Sequence, residues 1–183
     1  MRPPLRVPGQ RHLAQRRGVQ RAAARHPQLR LRAVEAAPRP GHLPGVGVGL
    51  AAPQIGIPLA LAVIEDPAEV PPEIAAERER PPQPRLELIN PVVTPLGSRY
   101  HAFHEGCLSV EGLTAVVPRH AKVRLSALDG AGRPYEAELS GRPARIAQHE
   151  TDHLNGTLYL DRAEPRSLST IGNHERFWAA PAR

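Results

Sequence analysis

Two histidines four residues apart, His149 and His153, lie with Glu150 in the stretch QHETDHLNG, residues 148–156. On an α-helix four residues turn through about 400° and rise ~6 Å, so both imidazoles leave one face and can grip a single metal ion. Glu150 stands about 100° round from His149 and about 60° from His153, on the flank of that face. Its carboxylate can reach a water at the metal without displacing it, which is the place of a general base. The same spacing arises by chance in solvated helical turns, so the reading needs support from elsewhere in the chain.

The elements that would position these groups are partly legible. Pro143 fits a first turn, Ala144, Ile146 and Ala147 suit a helix, and Asn155-Gly156 is a stop, predicting a helix over 142–154. Immediately before it, Val123, Leu125 and Leu128 alternate with Lys122, Arg124 and Ser126. After the turn at 129–133, Tyr135, Ala137 and Leu139 alternate with Glu136 and Glu138. That pair reads as a β-hairpin with its charges outward. Further strands are predicted at 59–64, 86–90, 92–96 and 158–161, with 99–104 pairing beside 86–96 and a surface loop over 65–85. From 165 onward the chain reads as a tail with weak helical potential over 173–178. Short strands followed by one late helix argue an α+β fold, the helix packed on antiparallel sheets.

The one cysteine, Cys107, excludes an intrachain disulfide and suits a reducing compartment. Taken alone its role is packing as a buried apolar thiol, metal binding or catalysis. One sulfur and two imidazoles would leave a fourth tetrahedral position open, the catalytic pattern and not the structural one. A third ligand downstream of the helix, His174, Glu164 or Glu175, would instead suit a zinc peptidase. Residues 45–56, GVGVGLAAPQIG, fail as a dinucleotide loop, since no strand precedes them and no helix follows. Their glycines either bring backbone close to a ligand or form a tight turn with Gln54 exposed.

Charge divides the chain unevenly. Residues 1–44 hold ten Arg, no Lys and one acid, Glu35, a net +9; the remainder holds 14 basic against 17 acidic residues, a net −3. Seven prolines and no sustained apolar period make 1–44 an Arg/Pro-rich, poorly ordered segment, with at most a short element over 22–34, ahead of a domain over 45–183. Such a tail can bind phosphate, but nothing supplies base readout, so no sequence-specific nucleic acid is expected. No apolar run reaches the ~18 residues of a membrane span.

GVGLAAPQ, EGCLS and QHETDHLNG, in this order, resemble the three signature motifs of peptide deformylases, and the resemblance runs over about residues 45–162. Leu168-Ser169-Thr170 and Phe177-Trp178 also resemble some members. The resemblance implies antiparallel sheets around a central metal-binding helix and hydrolytic removal of the formyl group from N-formylmethionyl nascent peptides, at the ribosome in the cytoplasm. It implies one divalent ion, Fe2+ in the cell with Zn2+, Ni2+ or Co2+ as substitutes, on Cys107, His149 and His153. Glu150 would be the acid/base. The Gln54 amide and Leu108 N–H would stabilise the oxyanion, and Gly47, Val48 and Gly49 would border the substrate. A zinc peptidase, or a degenerate paralogue with an RNA-binding tail, is the alternative. Three departures stand out: Pro38, Pro40 and Pro44 where the family has an acid-containing helix, Glu111 where a proline is common, and Arg142 and Arg145 beside the metal helix. These two arginines would bind a peptide carboxylate or solvate the helix, solvation being the simpler expectation.

Overall fold

The structure is a computed structural model and describes residues 47–178. The expectations for 1–44 lie outside the described residues. Five strands form one antiparallel sheet: β1 (Gly49–Ala51), β2 (Leu61–Asp66), β3 (Gln83–Pro95), β6 (Lys122–Leu128) and β7 (Pro134–Ser140), in the order β1-β2-β3-β6-β7. A second sheet orders β4 (Tyr100–Cys107), β5 (Val110–His120) and β8 (Ser169–Thr170) as β4-β5-β8. Three helices complete the described fold: α1 (Pro72–Glu77), α2 (Gly141–Leu154) and α3 (Ile171–Phe177). The α+β expectation, antiparallel sheets with a central helix, matches this architecture.

The alternation in β6 and β7 does build the hairpin. Val123 and Leu125 are buried while Lys122 and Arg124 are exposed, and the registers pair Lys122 with Ser140 through Leu128 with Pro134. β7 then runs straight into α2. The chain reverses at Gly141, whose φ of +57° suits glycine and whose Cβ, if present, would meet the Glu79 carbonyl oxygen. The Gly141 N–H donates to the Ala121 carbonyl at 3.0 Å and the Arg142 N–H to the Glu79 carbonyl at 2.9 Å, so two first-turn donors are satisfied. The helix predicted over 142–154 is thus found one residue longer.

α2 has two unlike sides. Ile146 and Ala147 pack with Ile64, Leu88 and Leu125 of the five-stranded sheet; burying a side chain such as Ile146 contributes about 1.5–3 kcal/mol. The other side meets β4 and β5 through polar groups. Gln148 bonds both ways with the His120 backbone, at 3.1 and 2.9 Å, and Arg145 and His149 reach Glu105.

Several expectations need correction. The stretches 86–90 and 92–96 are one strand, β3, bent by a register shift between Ile89 and Val92. Asn90 there has φ +53° and Pro91 has no N–H, so a bulge absorbs the proline instead of ending the strand. The strand near 99–104 pairs with β5, not with 86–96. The presumed loop 65–85 contains α1, and Asp66 is wholly buried under Arg80. The stretch 158–161 is a single 3-10 turn, Tyr159–Arg162, in which Asp161 Oδ2 accepts from the Leu158 N–H at 2.8 Å. Among the described residues no helix is long and apolar enough to cross a membrane.

Candidate active site

Three ligand atoms converge where the end of β4 meets the last turns of α2. Cys107 Sγ lies 3.2 Å from His153 Nε2, which lies 3.2 Å from His149 Nε2, and all three fall within 4.8 Å of one another. Tetrahedral zinc-type sites with bonds of about 2.0–2.3 Å need ligand separations of this order. His149 spends its other nitrogen on Glu105, Nδ1 to Oε2 at 2.9 Å, which leaves Nε2 free for an ion and fixes the ring. The donor set therefore fits one divalent cation. His174, an alternative ligand in the sequence, stacks instead on His104 with ring centroids 4.0 Å apart.

The electrostatics of the cation-free protein follow from this crowding. Burial pushes the Cys107 thiol up, yet hydrogen bonds with His149, His153 and the Ser109 N–H outweigh it and bring the group down to about 5. For His149 burial acts downward, but Cys107 and Glu105 raise it to about 10. A sulfur already favoured as thiolate is ready to ligate without a proton to lose. Glu150 is the opposite case. It is 4 % exposed, its Oε2 has no hydrogen-bond partner, and burial raises it to about 7.

Gly49 is what lets Glu150 sit there. A Cβ on Gly49 would fall 2.7 Å from Glu150 Cδ and within the same range of its other side-chain atoms, closer than packed atoms approach. Gly49→Ala should therefore displace the carboxylate and destabilise the domain by about 1–3 kcal/mol, read as a lower melting temperature together with lost turnover. A full retention of both would remove Gly49 from the site.

Gln54 stands in a 3-10 turn, Ala52–Ile55, where the Ala51 N–H donates to its Oε1 at 2.8 Å. That bond turns the amide nitrogen towards Ser109 Oγ, at 3.1 Å, and Cys107 Sγ, at 3.6 Å. Gly47, Val48, Gly49, Gln54, Cys107, Leu108, His149 and Glu150 all line one cleft of about 570 Å³, with His153 buried beside Cys107. A Cβ on Gly47 would touch Leu108 Cδ1 at 3.2 Å, so these two narrow the cleft. The Val48 carbonyl already accepts from the Glu65 N–H at 2.9 Å.

Sequence reasoning missed the charged support. Glu105 accepts from Arg119 Nε and Nη2 at 3.0 and 2.9 Å, from Arg145 Nη1 and from His149. Asp152 bridges Arg119 and Arg162. The two-residue spacing of Glu105 and Cys107 on a strand was the available signal. Arg145, expected to solvate the helix, is 5 % exposed and also donates to the carbonyls of Val117 and His101.

A thiol on a strand facing an HExxH helix, with a buried carboxylate alongside, is a donor set that could hold one metal ion with a position left open. The family described as polypeptide deformylase matches residues 25–168. The chain belongs to this family. It is 58 % identical over 135 residues to peptide deformylase 1 of Streptomyces coelicolor, covering 74 % of this chain and 62 % of that one. Peptide deformylase 3 of Streptomyces avermitilis is 59 % identical, with 74 % and 60 % covered, so the chain spans about three fifths of these relatives. Among solved structures, a class I type b peptide deformylase from Acinetobacter baumannii with Met-Ala-Ser bound is similar at 35 % identity and a TM-score of 0.56. It covers 63 % of this chain and 70 % of that one. A peptide deformylase from Synechococcus elongatus in complex with actinonin is 41 % identical with a TM-score of 0.54, over 64 % and 57 %.

Proposed function

We propose that this chain is a metal-dependent hydrolase that removes the formyl group from N-formylmethionyl peptides. One observation carries the reading: the Cys107, His149 and His153 ligand atoms converge beside an unpartnered Glu150 carboxylate in a cleft wide enough for a peptide. Family membership and the Met-Ala-Ser bound by the Acinetobacter relative support it.

Cys107 Sγ, His149 Nε2 and His153 Nε2 would hold the cation. When bound, such an ion makes a water acidic enough to lose its proton near pH 7. Glu150, buried with its Oε2 unpartnered beside the ligand atoms, would take that proton and deliver it to the leaving amine. The Gln54 amide nitrogen, aimed by Ala51, and the Leu108 N–H donate to the formyl oxygen as it gains charge. Gly47 and Gly49 keep the cleft wall free of side chains, and Val48 offers the peptide its N–H, since its carbonyl is engaged. The ion in the cell is Fe2+, with Zn2+, Ni2+ or Co2+ as substitutes. The substrate is met at the ribosome in the cytoplasm, by a catalytic domain over 45–183.

Protein purified without oxygen should carry about one divalent ion per chain and deformylate formyl-Met-Ala-Ser while sparing the acetylated peptide. Equal cleavage of both peptides, or of neither by the metal-loaded protein, would overturn the assignment.

A further inference from the structure

A small cavity, of about 10 Å³, shares only Arg142 and Arg145 with the cleft wall. Its own lining includes Arg78 just past α1, Phe103 on β4, and Arg119 and His120 on β5, and it contains no acid. Arg78 and Arg145 lie over the same Phe103 ring, at 4.8 and 5.2 Å from its centroid. Contact with a ring face holds a guanidinium in place without giving its N–H groups an acceptor. The Arg78 side chain makes no hydrogen bond among the described residues.

The acids within reach do not balance the charge around this cavity. Arg119 and Arg145 share Glu105, and Asp152 divides itself between Arg119 and Arg162. Three guanidiniums thus rest on two carboxylates, and Arg78 adds a fourth. Asp66 is taken by Arg80, and the exposed Glu79 stands 3.8 Å from His101 Nε2 and 3.7 Å from Arg99 Nη2. Burial pushes Arg145 down, and Arg119 and Arg78 push the same way against the pull of Glu105. An arginine does not shed its proton in a protein, so relief has to come from an anion.

His120 gives an independent sign of the same ligand. Its backbone N–H and carbonyl are both engaged by the Gln148 amide, and its Nε2 lies 3.1 Å from the Tyr100 hydroxyl. With that hydroxyl donating to Nε2, the ring hydrogen is on Nδ1, which is buried and has no partner. A water could accept from Nδ1 but would not offset the surplus positive charge. The volume admits about one water-sized sphere, too little for sulfate, phosphate or a carboxylate. We infer that the cavity binds one monatomic halide, chloride, held by Arg78 and His120 Nδ1, and that this ion offsets the charge of Arg119 and Arg145. The site lies apart from the metal ligands and does not rest on the deformylase reading.

The test compares melting of the metal-loaded full chain in sodium chloride with melting in sodium methanesulfonate, an anion too large for the cavity, at equal ionic strength. Chloride should raise the melting temperature by about 3 °C, and the rise should saturate as a single site fills. Sodium bromide should act in the same way, and in bromide-grown crystals the anomalous signal should sit among Arg78, Phe103 and His120. In Arg78→Gln and in His120→Phe the difference between the two salts should shrink to about zero. If His120→Phe does not fold, Arg78→Gln and the position of the bromide decide. Equal melting of wild type in the two salts would mean that the cavity holds water, and would overturn the proposal. A chloride effect that survives in Arg78→Gln, with bromide found only at the metal ligands, would overturn it too. Turnover of formyl peptides enters neither outcome, so this site and the deformylase reading stand or fall separately.

Discussion

Replacing Glu150 by glutamine should lower deformylation by about a hundred- to ten-thousandfold, the span typical of losing a positioned proton carrier, while metal content stays near one per chain. The amide keeps the shape of the carboxyl and removes only its proton chemistry. Stability should move the other way. In the cation-free protein burial holds Glu150 at about 7 against an ordinary 4.5. Between those values the folded chain carries a proton that the unfolded chain has shed, so stability falls as pH rises through the window. Above it the ionised carboxylate is a standing burden on the fold. Cation-free Glu150→Gln should therefore melt above wild type at pH 8, with the gap closing near pH 4. Turnover near the wild-type level would remove Glu150 from the chemistry, and equal melting at pH 8 would show that the carboxylate is not desolvated.

Glu105→Ala should be the most damaging single change to the fold. Its side chain is 5 % exposed and its carboxylate is shared by Arg119, Arg145 and His149. Removing it strands buried cations, which typically costs 3–5 kcal/mol out of a total of roughly 5–15. Burial alone would raise Glu105, but His149 and Arg119 hold it well below the usual carboxylate range. Its contribution is therefore present above about pH 4.5 and is lost as pH falls below. Denaturant midpoints of wild type and variant should differ widely at pH 7 and converge towards acid. Metal affinity should drop about 10- to 100-fold as well, because His149 loses the partner that orients its ring. A variant with an unchanged midpoint at pH 7 would mean that water enters and solvates the arginines.

What the amino-acid text discloses here is what short-range period encodes. The β6–β7 hairpin and α2 are legible because alternation by two and recurrence by four are local properties of their own residues. β3 is not, since nothing near Asn90-Pro91 says that a bulge will carry the strand past a proline. β5 carries Pro118 and the charged Arg119 among its residues, and Arg119 is buried only because Glu105 and Asp152 arrive from elsewhere. Arg145 misleads for the same reason: a charge counts as solvated until a distant partner is known. The nine residues picked out at the start are met in one cleft region. The ionic scaffold behind them depends on contacts across 10 to 44 positions, most of them beyond any short window of sequence.

The pairing of β4 with β5 shifts register between Glu105 and Cys107, setting Glu105 opposite Ala115 and Cys107 opposite Val110. A strand slipped by a single position would present Gly106 where a side chain is required, silencing the sulfur and the carboxylate at once. An ion held by Cys107, His149 and His153 would therefore favour the correctly threaded chain over every misthreaded alternative, since only the native register brings the three groups together.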